Sequence, residues 1–444
     1  MGKRFSWIRS LSSFGLAIAL IWGIFAPSAQ ALTEEQRLVN EVWRIVDRSY
    51  VDASFNHQNW WAIREKYLKQ PLPNREASYT AIQQMIAGLD DPFTRLLKPD
   101  QYRSLQTSTS GELTGVGLQI SLDAETKRLR VIAPVEGSPA AKSGIRPADS
   151  ILMIDGVSTE GLSLDDAAER MRGQIGSRVT LTIGREGEEV LDINLVRDRI
   201  ELNPVYAELR PQPDGKKLAY LRLSQFNANA TAEVAHAIAR LEKQGADGYI
   251  LDLRNNPGGL LQAGIDIARL WIDQGTIVYT VNRQGTMGSF EAMGDALTKD
   301  PMVVLVNQGT ASASEILAGA LKDNGRAIIL GEKTFGKGLI QSLFDLSDGA
   351  GLAVTVAKYE TPSHKDINKL GIIPDQVVPL DPITLDQIGT PSDRQYKAAV
   401  DAIGSDALVA GASEGERGTV LYCSFFCCLT LSELITILYT VRSL

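Results

Sequence analysis

The segment Val303-Val-Leu-Val-Asn-Gln-Gly-Thr-Ala-Ser-Ala-Ser-Glu-Ile316 carries the clearest structural pattern in the chain. Its apolar beginning predicts a buried strand, Gly309 predicts a tight turn, and the residues that follow predict a helix. A buried strand that leads directly into a helix is typical of a sheet covered by helices. Ser312 is therefore expected at or next to a helix N-terminus, where backbone N–H groups and the helix dipole favour negative charge.

Two interpretations of Ser312 fit this position. The local charge suits a nucleophilic serine, which must become an alkoxide or lie beside a developing oxyanion. Serine is also favoured as a plain helix N-cap, and Ser314 competes with Ser312 for either role. The segment alone predicts the start of a helix and leaves the role of the serine open.

A second segment, Gly331-Glu-Lys-Thr-Phe-Gly-Lys-Gly-Leu-Ile-Gln341, nearly matches a phosphate-binding loop. Gly338, however, stands where Ser or Thr should ligate magnesium, and a strand pattern follows in place of a helix, so we expect no nucleotide. If the strand starts at Leu339, Lys337 and Gln341 project from the same face. Apolar neighbours would lower the pKa of Lys337 from about 10.4 and make its neutral amine a general base. A solvated surface lysine is the alternative.

A third segment, Gly248-Tyr-Ile-Leu-Asp-Leu-Arg-Asn-Asn-Pro-Gly-Gly-Leu260, predicts a buried strand that ends in a turn with two consecutive glycines. Such glycines let the backbone approach a ligand closely and direct its N–H groups inward. The turn could therefore donate hydrogen bonds to an oxyanion, and an ordinary connecting loop is the alternative.

Composition limits the classes of function. The chain has 444 residues, of which 44 % are hydrophobic and 22 % are charged, as in a folded soluble protein of two or three domains. Its net charge of −8 comes without a basic block, so nucleic acid is not expected as a partner. The 3 cysteines lie between Cys423 and Cys428, and only 3 histidines are present. We therefore expect neither a metal site nor any other cofactor.

Both ends of the chain differ from its body. Residues 1–31 combine basic residues, an apolar stretch and Ala29-Gln-Ala31, which predicts a cleaved signal peptide and an exported protein. An uncleaved membrane anchor is the alternative. Residues 391–444 form a C-terminal segment whose apolar tail, 418–444, has no assigned role, since a membrane-associating end and a loosely held terminus both fit it.

Three domains are expected between these ends. Helical spacing of apolar residues predicts a helical domain over 32–104, with a polar connection over 101–109 leading on. Short strands and one helix predict a compact α/β module over 105–198, whose first strand is Gly115–Ile120. Alternating strands and helices predict a sheet covered by helices over 199–390. The expected fold class is thus a multidomain α+β or α/β protein.

The three quoted segments together closely resemble the C-terminal processing peptidases, in order and in spacing, up to about residue 380. The resemblance implies a serine endopeptidase in which Ser312 is the nucleophile, Lys337 is the base and Gln341 orients the base. The oxyanion donors of the family correspond to the N–H groups of Gly258 and Ala313. Further polar positions of the family pattern, with an implied supporting role, are Glu315, Asp323 and Thr334.

The middle module resembles a PDZ domain. The positions where such domains offer N–H groups to the terminal carboxylate of a peptide are Gly115, Val116, Gly117 and Leu118. Peptides bind there by adding a strand, which implies protein substrates selected by their C-termini. Arg172 aligns with an arginine that couples the PDZ domain to the catalytic cleft in some relatives, and a solvated side chain is the alternative.

Three N-terminal segments, Glu41–Tyr50, Phe55–Trp60 and Leu89–Thr94, most resemble the branch of the family from oxygenic phototrophs, which trims the D1 precursor of photosystem II. The resemblance implies a cyanobacterial enzyme of the thylakoid lumen or periplasm. Its substrate would be membrane-embedded, which permits peripheral membrane association. Two alternatives are a noncatalytic PDZ-containing peptide-binding scaffold and a histidine-based triad that uses His236 or His364.

Overall fold

The computed structural model describes residues 32–123, 126, 128–135, 137–185, 187–379 and 387–404. The predicted signal peptide and the apolar tail lie outside the described residues. The chain divides into two compact units, which are Met1–Leu96 with Leu343–Val354, and Leu97–Ser342 with Thr355–Leu444. In the parts of the chain that the structure describes, every helix is too short or too polar to cross a bilayer.

The first unit is helical, as predicted. Its helices are α1 (Glu34–Ser49), α2 (Trp60–Leu68) and α3 (Arg75–Ala87). A capping box starts α1, because Thr33 and Gln36 exchange hydrogen bonds of 3.0 and 3.2 Å. The indole of Trp43 donates to the carbonyl oxygen of Trp60 at 2.8 Å and so fastens α1 to α2.

A short strand and a helix come next, and they are β1 (Arg95–Leu97) and α4 (Pro99–Ser110). The predicted polar connection over 101–109 is wrong, because these residues form α4. The helix starts with Pro99 at its first position and ends at Gly111, whose φ is +70°. Tyr102 is its one buried residue, so apolar periodicity does not reveal this helix. The predicted domain limits stay predictions.

The middle module is an antiparallel sheet with two helices. Its elements are β2 (Glu112–Gly115), β3 (Leu118–Leu122), β4 (Leu129–Pro134), α5 (Pro139–Lys142), β5 (Ser150–Ile154), β6 (Val157–Ser158), α6 (Leu164–Met171), β7 (Arg178–Gly184), β8 (Leu191–Val196) and β9 (Asp198–Glu201). The sheet runs β3-β4-β5-β7-β8, and β6 pairs with β5. β2 pairs instead with β9 in a two-stranded ribbon, so the chain enters and leaves the module through neighbouring strands.

The single strand predicted over 115–120 is interrupted. Gly117 has a φ of +76°, and a Cβ there would lie 2.3 Å from the Cβ of Ser138. This close approach requires glycine and turns the chain between β2 and β3. The expected strand is therefore two strands joined at Val116 and Gly117.

A six-stranded, mostly parallel sheet, called the large sheet below, also lies in the second unit. The elements that build it are β10 (Val205–Pro211), β11 (Lys217–Leu223), α7 (Ala230–Lys243), β12 (Gly248–Asp252), α8 (Leu261–Arg269), β15 (Met302–Val306), α9 (Ala313–Asp323), β16 (Ile328–Gly331), β19 (Gln376–Val377) and α10 (Arg394–Gly404). Its order is β10-β11-β12-β15-β16-β19, in which β10 is antiparallel and the others are parallel. A second sheet contains β13 (Thr276–Asn282), β14 (Gly285–Glu291), β17 (Leu339–Asp345) and β18 (Gly351–Glu360).

Helices cover both faces of the large sheet, as the alternation of its side chains requires. On β12, Tyr249 and Leu251 pack with α7, α8 and α9, while Ile250 faces the opposite side. That opposite side is covered by α10, whose Tyr396 and Ala399 pack against the sheet. The predicted sheet covered by helices is confirmed. One of the covering helices, α10, lies beyond residue 390, where the predicted domain ends.

A buried ion network attaches α10 to the end of β12. Arg254 is 4 % exposed and binds Asp252 through two hydrogen bonds of 2.6 and 2.9 Å. It also binds Asp393, which is fully buried, at 2.7 and 3.1 Å. The residues just before α10 are thereby held at the end of the strand that leads into the Asn255–Gly259 turn.

Candidate active site

The three segments singled out in the sequence leave the same edge of the large sheet. They follow β12, β15 and β16, which are neighbouring parallel strands. Because parallel strands end at a common edge, this edge collects the Asn255–Gly259 turn, Ser312 and the segment 332–338. In open sheets of this kind, ligands bind outside the carboxyl ends of the strands.

Ser312 directly precedes α9 and has a φ of +58° and a ψ of −119°. A residue other than glycine rarely adopts this backbone conformation, which costs about 1–3 kcal/mol and occurs most often at functional sites. Ser312 is half-buried, whereas Ser314 is fully buried and donates its hydroxyl to the carbonyl oxygen of Asn256 at 3.0 Å. A substrate can therefore reach Ser312 but not Ser314.

Hydrogen bonds join the turn after β12 to the turn after β15. Asn256 is fully buried, and its carbonyl oxygen accepts from the N–H of Ala311 at 3.0 Å as well as from Ser314. Its side chain donates to the carbonyl oxygen of Leu223 at 2.8 Å. This role of Asn256 was not predicted from the sequence, although the residue lies within the Asn255–Gly259 turn.

Gly258 lies against the nucleophile segment. A Cβ at this glycine, whose φ is +92°, would lie 2.6 Å from the carbonyl oxygen of Ala311 and 2.8 Å from the amide nitrogen of Ala313. The two N–H groups predicted as oxyanion donors therefore belong to neighbouring backbone segments. In the structure the N–H of Gly258 donates to Oδ1 of Asn256 at 2.9 Å, so its predicted role requires sharing or releasing that bond.

Glu315 joins the nucleophile segment to the lysine segment. This fully buried carboxylate accepts from the N–H groups of Ser312 at 2.9 Å, Gly336 at 2.7 Å and Lys337 at 2.8 Å. It also accepts from the hydroxyl of Thr334 at 2.5 Å. Thr334 in turn accepts from the N–H of Ile372 at 2.7 Å. Of the three predicted supporting residues, Glu315 and Thr334 thus contact main-chain groups around the site.

Lys337 lies in an irregular segment and is half-buried. β17 begins at Leu339, as that expectation supposed, but Lys337 lies before the strand, so a face shared with Gln341 stays a prediction. The glycines that flank the lysine explain the irregular backbone, because a Cβ at Gly336 or Gly338 would lie within 2.9 Å of backbone atoms of 368–371. Gln341 is half-buried in β17, and its amide donates to the hydroxyl of Thr355 at 3.4 Å.

Asp323 lies at the C-terminal end of α9, at the other end of the helix from Ser312. Burial opposes its ionisation, but hydrogen bonds from Ser363 and Thr361 lower the pKa of its carboxyl below the ordinary value. The hydroxyl and N–H of Ser363 donate to it at 2.6 and 3.1 Å. Asp323 therefore holds the 361–364 turn and contacts neither Ser312 nor Lys337 in these bonds.

Tyr359 was missed by sequence reasoning. This residue of β18 is 1 % exposed, and its hydroxyl lies within hydrogen-bond distance of the carbonyl oxygens of both Ser312, at 3.1 Å, and Lys337. Burial raises the pKa of its phenol well above the ordinary value, and the charges of Glu315 and Asp366 raise it further. No motif surrounds Tyr359, so the sequence carries no signal for this contact.

Of the predicted peptide-binding positions, Gly115, Val116 and Gly117 are buried, and Leu118 is half-buried at the start of β3. Among the described strands of the middle sheet, β3 is the edge strand next to α6, and it starts at Leu118. An edge strand offers unpaired N–H and C=O groups to an added strand. Arg172 follows α6 and lines a cavity of about 900 Å³ together with residues of α4.

The two histidines of the alternative triad are exposed. His236 lies on α7, and His364 stacks on Tyr279 with ring centroids 4.1 Å apart. His364 belongs to the turn held by Asp323, which lies at the end of α9 remote from Ser312. Neither position supports a histidine base for that serine.

Comparison with protein families gives three matches. Residues 217–378 match peptidase family S41, residues 130–185 match a PDZ domain, and residues 33–71 match the tricorn protease C1 domain. The architecture expected from the sequence, namely N-terminal helices, a PDZ domain and a catalytic core of sheet and helices, is thereby confirmed.

Curated relatives match almost end to end. The carboxyl-terminal-processing protease of Synechocystis sp. is 61 % identical over 92 % of this chain and 96 % of its own length. The chloroplastic C-terminal processing peptidase of Tetradesmus obliquus is 46 % identical over 85 % of this chain and 83 % of its own. Among solved structures, a photosystem II D1 C-terminal processing protease is 45 % identical, with a TM-score of 0.54 over 85 % of this chain and 99 % of that one.

Proposed function

Because the chain belongs to the carboxyl-terminal-processing proteases of peptidase family S41, we propose that Ser312 and Lys337 form the catalytic dyad of this serine-type peptidase. The observation that carries the proposal is that one buried carboxylate, that of Glu315, accepts hydrogen bonds from the N–H groups of both residues. Two chain segments that are 25 residues apart are thereby held at one edge of the sheet. Membership of a peptidase family argues against a noncatalytic scaffold.

The proposed reaction begins with attack of the Ser312 Oγ on a peptide carbonyl carbon, while the neutral amine of Lys337 takes the hydroxyl proton. The tetrahedral oxyanion is stabilised by the N–H groups of Gly258 and Ala313, and the second of these lies at the positive end of the α9 dipole. Collapse breaks the C–N bond, and the Lys337 ammonium protonates the leaving amine. An ester between Ser312 and the new C-terminus remains.

Deacylation reverses these roles. Lys337, again neutral, takes a proton from water, which attacks the ester and releases the free carboxylate and the Ser312 hydroxyl. Gln341 would orient the lysine amine between the two half-reactions. Thr334 and Glu315 would hold the segment that carries Lys337, through the hydrogen bonds they make with it and with each other.

The substrate is a protein with a C-terminal extension, and we propose the D1 precursor of photosystem II. The support is the likeness to the solved D1 processing protease and to the chloroplastic relatives. The C-terminus of the substrate would add to the edge strand β3, with its carboxylate at the N–H groups of residues 115–118. A cyanobacterial protein with a cleaved signal peptide would act in the thylakoid lumen or periplasm, at the membrane surface that exposes D1.

The test uses the purified protein without its predicted signal peptide, with a synthetic peptide that ends in a D1-like C-terminal extension. We expect one internal cut by mass spectrometry, and loss of cleavage by at least about 10³-fold in Ser312→Ala and in Lys337→Ala, because neither half of the dyad acts alone. Both variants should unfold at the wild-type temperature. An active Lys337→Ala protein would refute the dyad.

A matched peptide with an amidated C-terminus tests recognition by the PDZ domain. Loss of the terminal carboxylate should raise KM and leave kcat unchanged, because the carboxylate contacts residues 115–118 and not the reacting atoms. Equal kinetics for the acid and the amide would refute carboxylate recognition without affecting the dyad. Failure of the wild type to cut either peptide would refute D1 as the substrate.

A further inference from the structure

Tyr359 contacts the backbone of both proposed catalytic residues from within the core. Its hydroxyl faces the carbonyl oxygens of Ser312, at 3.1 Å, and Lys337, and its own N–H donates to the carbonyl oxygen of Gly338 at 3.1 Å. The ring belongs to the main apolar cluster of the large sheet and is 1 % exposed. Its position is fixed by β18, where Tyr359 lies opposite Thr280 of β13.

The same two residues are held by Glu315 through their N–H groups. The peptide N–H and the carbonyl group lie on either side of the Cα that carries each catalytic side chain. One buried carboxylate therefore fixes the N-terminal side of both residues, and one buried phenol fixes the C-terminal side. These two contacts together determine the separation and the direction of the two Cα–Cβ bonds.

A phenol suits this position because it donates a hydrogen bond and does not ionise. Burial and the negative charges of Glu315 and Asp366 raise its pKa well above the ordinary value, so it stays protonated where a lysine base works. A phenol carries one proton, so the two carbonyl oxygens share that proton or accept it in turn, which requires both to stay within reach of the hydroxyl. That requirement fixes the distance between the two chain segments.

We infer that Tyr359 is a positioning residue for hydrolysis, whose hydroxyl sets the spacing between the main chains of Ser312 and Lys337. The inference rests on the proposed dyad. Reacting groups must be held within about 0.5 Å of their productive geometry, and a shift of about 1 Å can cost about 10²-fold in rate. Without the hydroxyl, the Lys337 segment would move relative to Ser312, and water would reach the amine.

The test is Tyr359→Phe, which keeps the ring and removes the hydroxyl. We expect kcat to fall about 10- to 100-fold and KM for the peptide to stay within about twofold, since the substrate C-terminus binds elsewhere. Because a better solvated amine has a higher pKa, the acidic limb of the kcat profile should move to higher pH. A merely structural role would not shift this limb.

Tyr249→Phe is the matched control. Tyr249 is another fully buried tyrosine of the same domain, but its hydroxyl donates to Glu242, at 2.8 Å, and not to the proposed site. Rates are referred to the active-site concentration measured with a fluorophosphonate, so any loss of folded protein does not enter them. We expect wild-type kcat and an unshifted pH profile for Tyr249→Phe.

Three results would overturn the inference, namely wild-type kcat in Tyr359→Phe, an unshifted acidic limb, or an equal loss of kcat in both variants. If Tyr359→Phe does not fold, Tyr359→His replaces it, because an imidazole is too short to place a donor at the phenol oxygen. Wild-type kcat in folded Tyr359→His would also overturn it. Failure of the dyad itself is recognised separately, by an active Lys337→Ala protein.

Discussion

Replacement of Glu315 by glutamine tests the contact on which the proposed site depends most. Glutamine keeps the size of the side chain but replaces one acceptor oxygen with an NH₂ donor. Oε1 accepts from Thr334 and Gly336, while Oε2 accepts from the N–H groups of Ser312 and Lys337. With the NH₂ at the Oε2 position, the N–H groups of Ser312 and Lys337 both face a donor. With the NH₂ at the Oε1 position, the N–H of Gly336 faces a donor, while the hydroxyl of Thr334 can turn to accept.

The magnitude follows from this count. A buried donor without a partner costs about 1–3 kcal/mol, so the loss of one or two acceptors should lower the free energy of unfolding by about 1–6 kcal/mol. This is a large part of the roughly 5–15 kcal/mol that stabilises a typical domain. The kcat should also fall, by about 10²-fold or more, because the freed donors either belong to the proposed nucleophile and base or hold the segment that carries Lys337.

Urea unfolding and kcat on the D1-like peptide measure the two effects. Glu233→Gln is the matched control, because Glu233 also lies in the first turn of a helix but accepts from a single side chain, Asn203, at 2.8 Å. It should change the free energy of unfolding by no more than about 0.5 kcal/mol. A Glu315→Gln protein as stable and as active as Glu233→Gln would refute the reasoning.

Two further predictions concern charged groups outside the site. Asp393→Asn should lower the free energy of unfolding by about 3 kcal/mol, because it leaves the buried guanidinium of Arg254 with less countercharge. Asp401→Asn, on the exposed side of α10, should leave the free energy of unfolding unchanged. Equal urea midpoints for the two variants would contradict this prediction. In the PDZ domain, burial opposes ionisation of Asp149, but its ion pair with Arg185, at 2.7 Å, holds its pKa below the ordinary 3.8. The contribution of this ion pair to stability is complete above pH 3.8 and is lost as pH falls through the folded-state pKa. The difference in stability between wild type and Asp149→Asn, measured by thermal unfolding, should therefore shrink below pH 3.8. A difference that stays constant with pH would contradict this prediction.

The parts of the fold that the sequence predicts well are those with a strong local pattern. The β12 and β15 strands appear as unbroken apolar runs, and glycine or asparagine marks the turns that follow them. Ser312 could be placed at the start of α9 because the strand, turn and helix are consecutive. The edge where the three segments meet also follows from the parallel order of the strands.

The parts that local patterns did not predict depend on distant contacts. α4 is polar, and a single buried tyrosine anchors it, so its helical period is not visible. The segment around Lys337 stays irregular because its glycines pack against the backbone of 368–371, a contact that no window of sequence contains. Tyr359 reaches the site through the pairing of β18 with β13, and such pairing cannot be worked out from one strand.

The ribbon of β2 and β9 has a consequence for how substrate choice and chemistry can change. Its strands lie about 5 Å apart, so the chain departs for the PDZ domain and returns from it at nearly one point. A domain inserted in this way can change its sequence while the two strands that connect it to the rest of the chain stay paired. Substitutions within it can change the proposed selection of substrate C-termini without displacing the proposed catalytic residues.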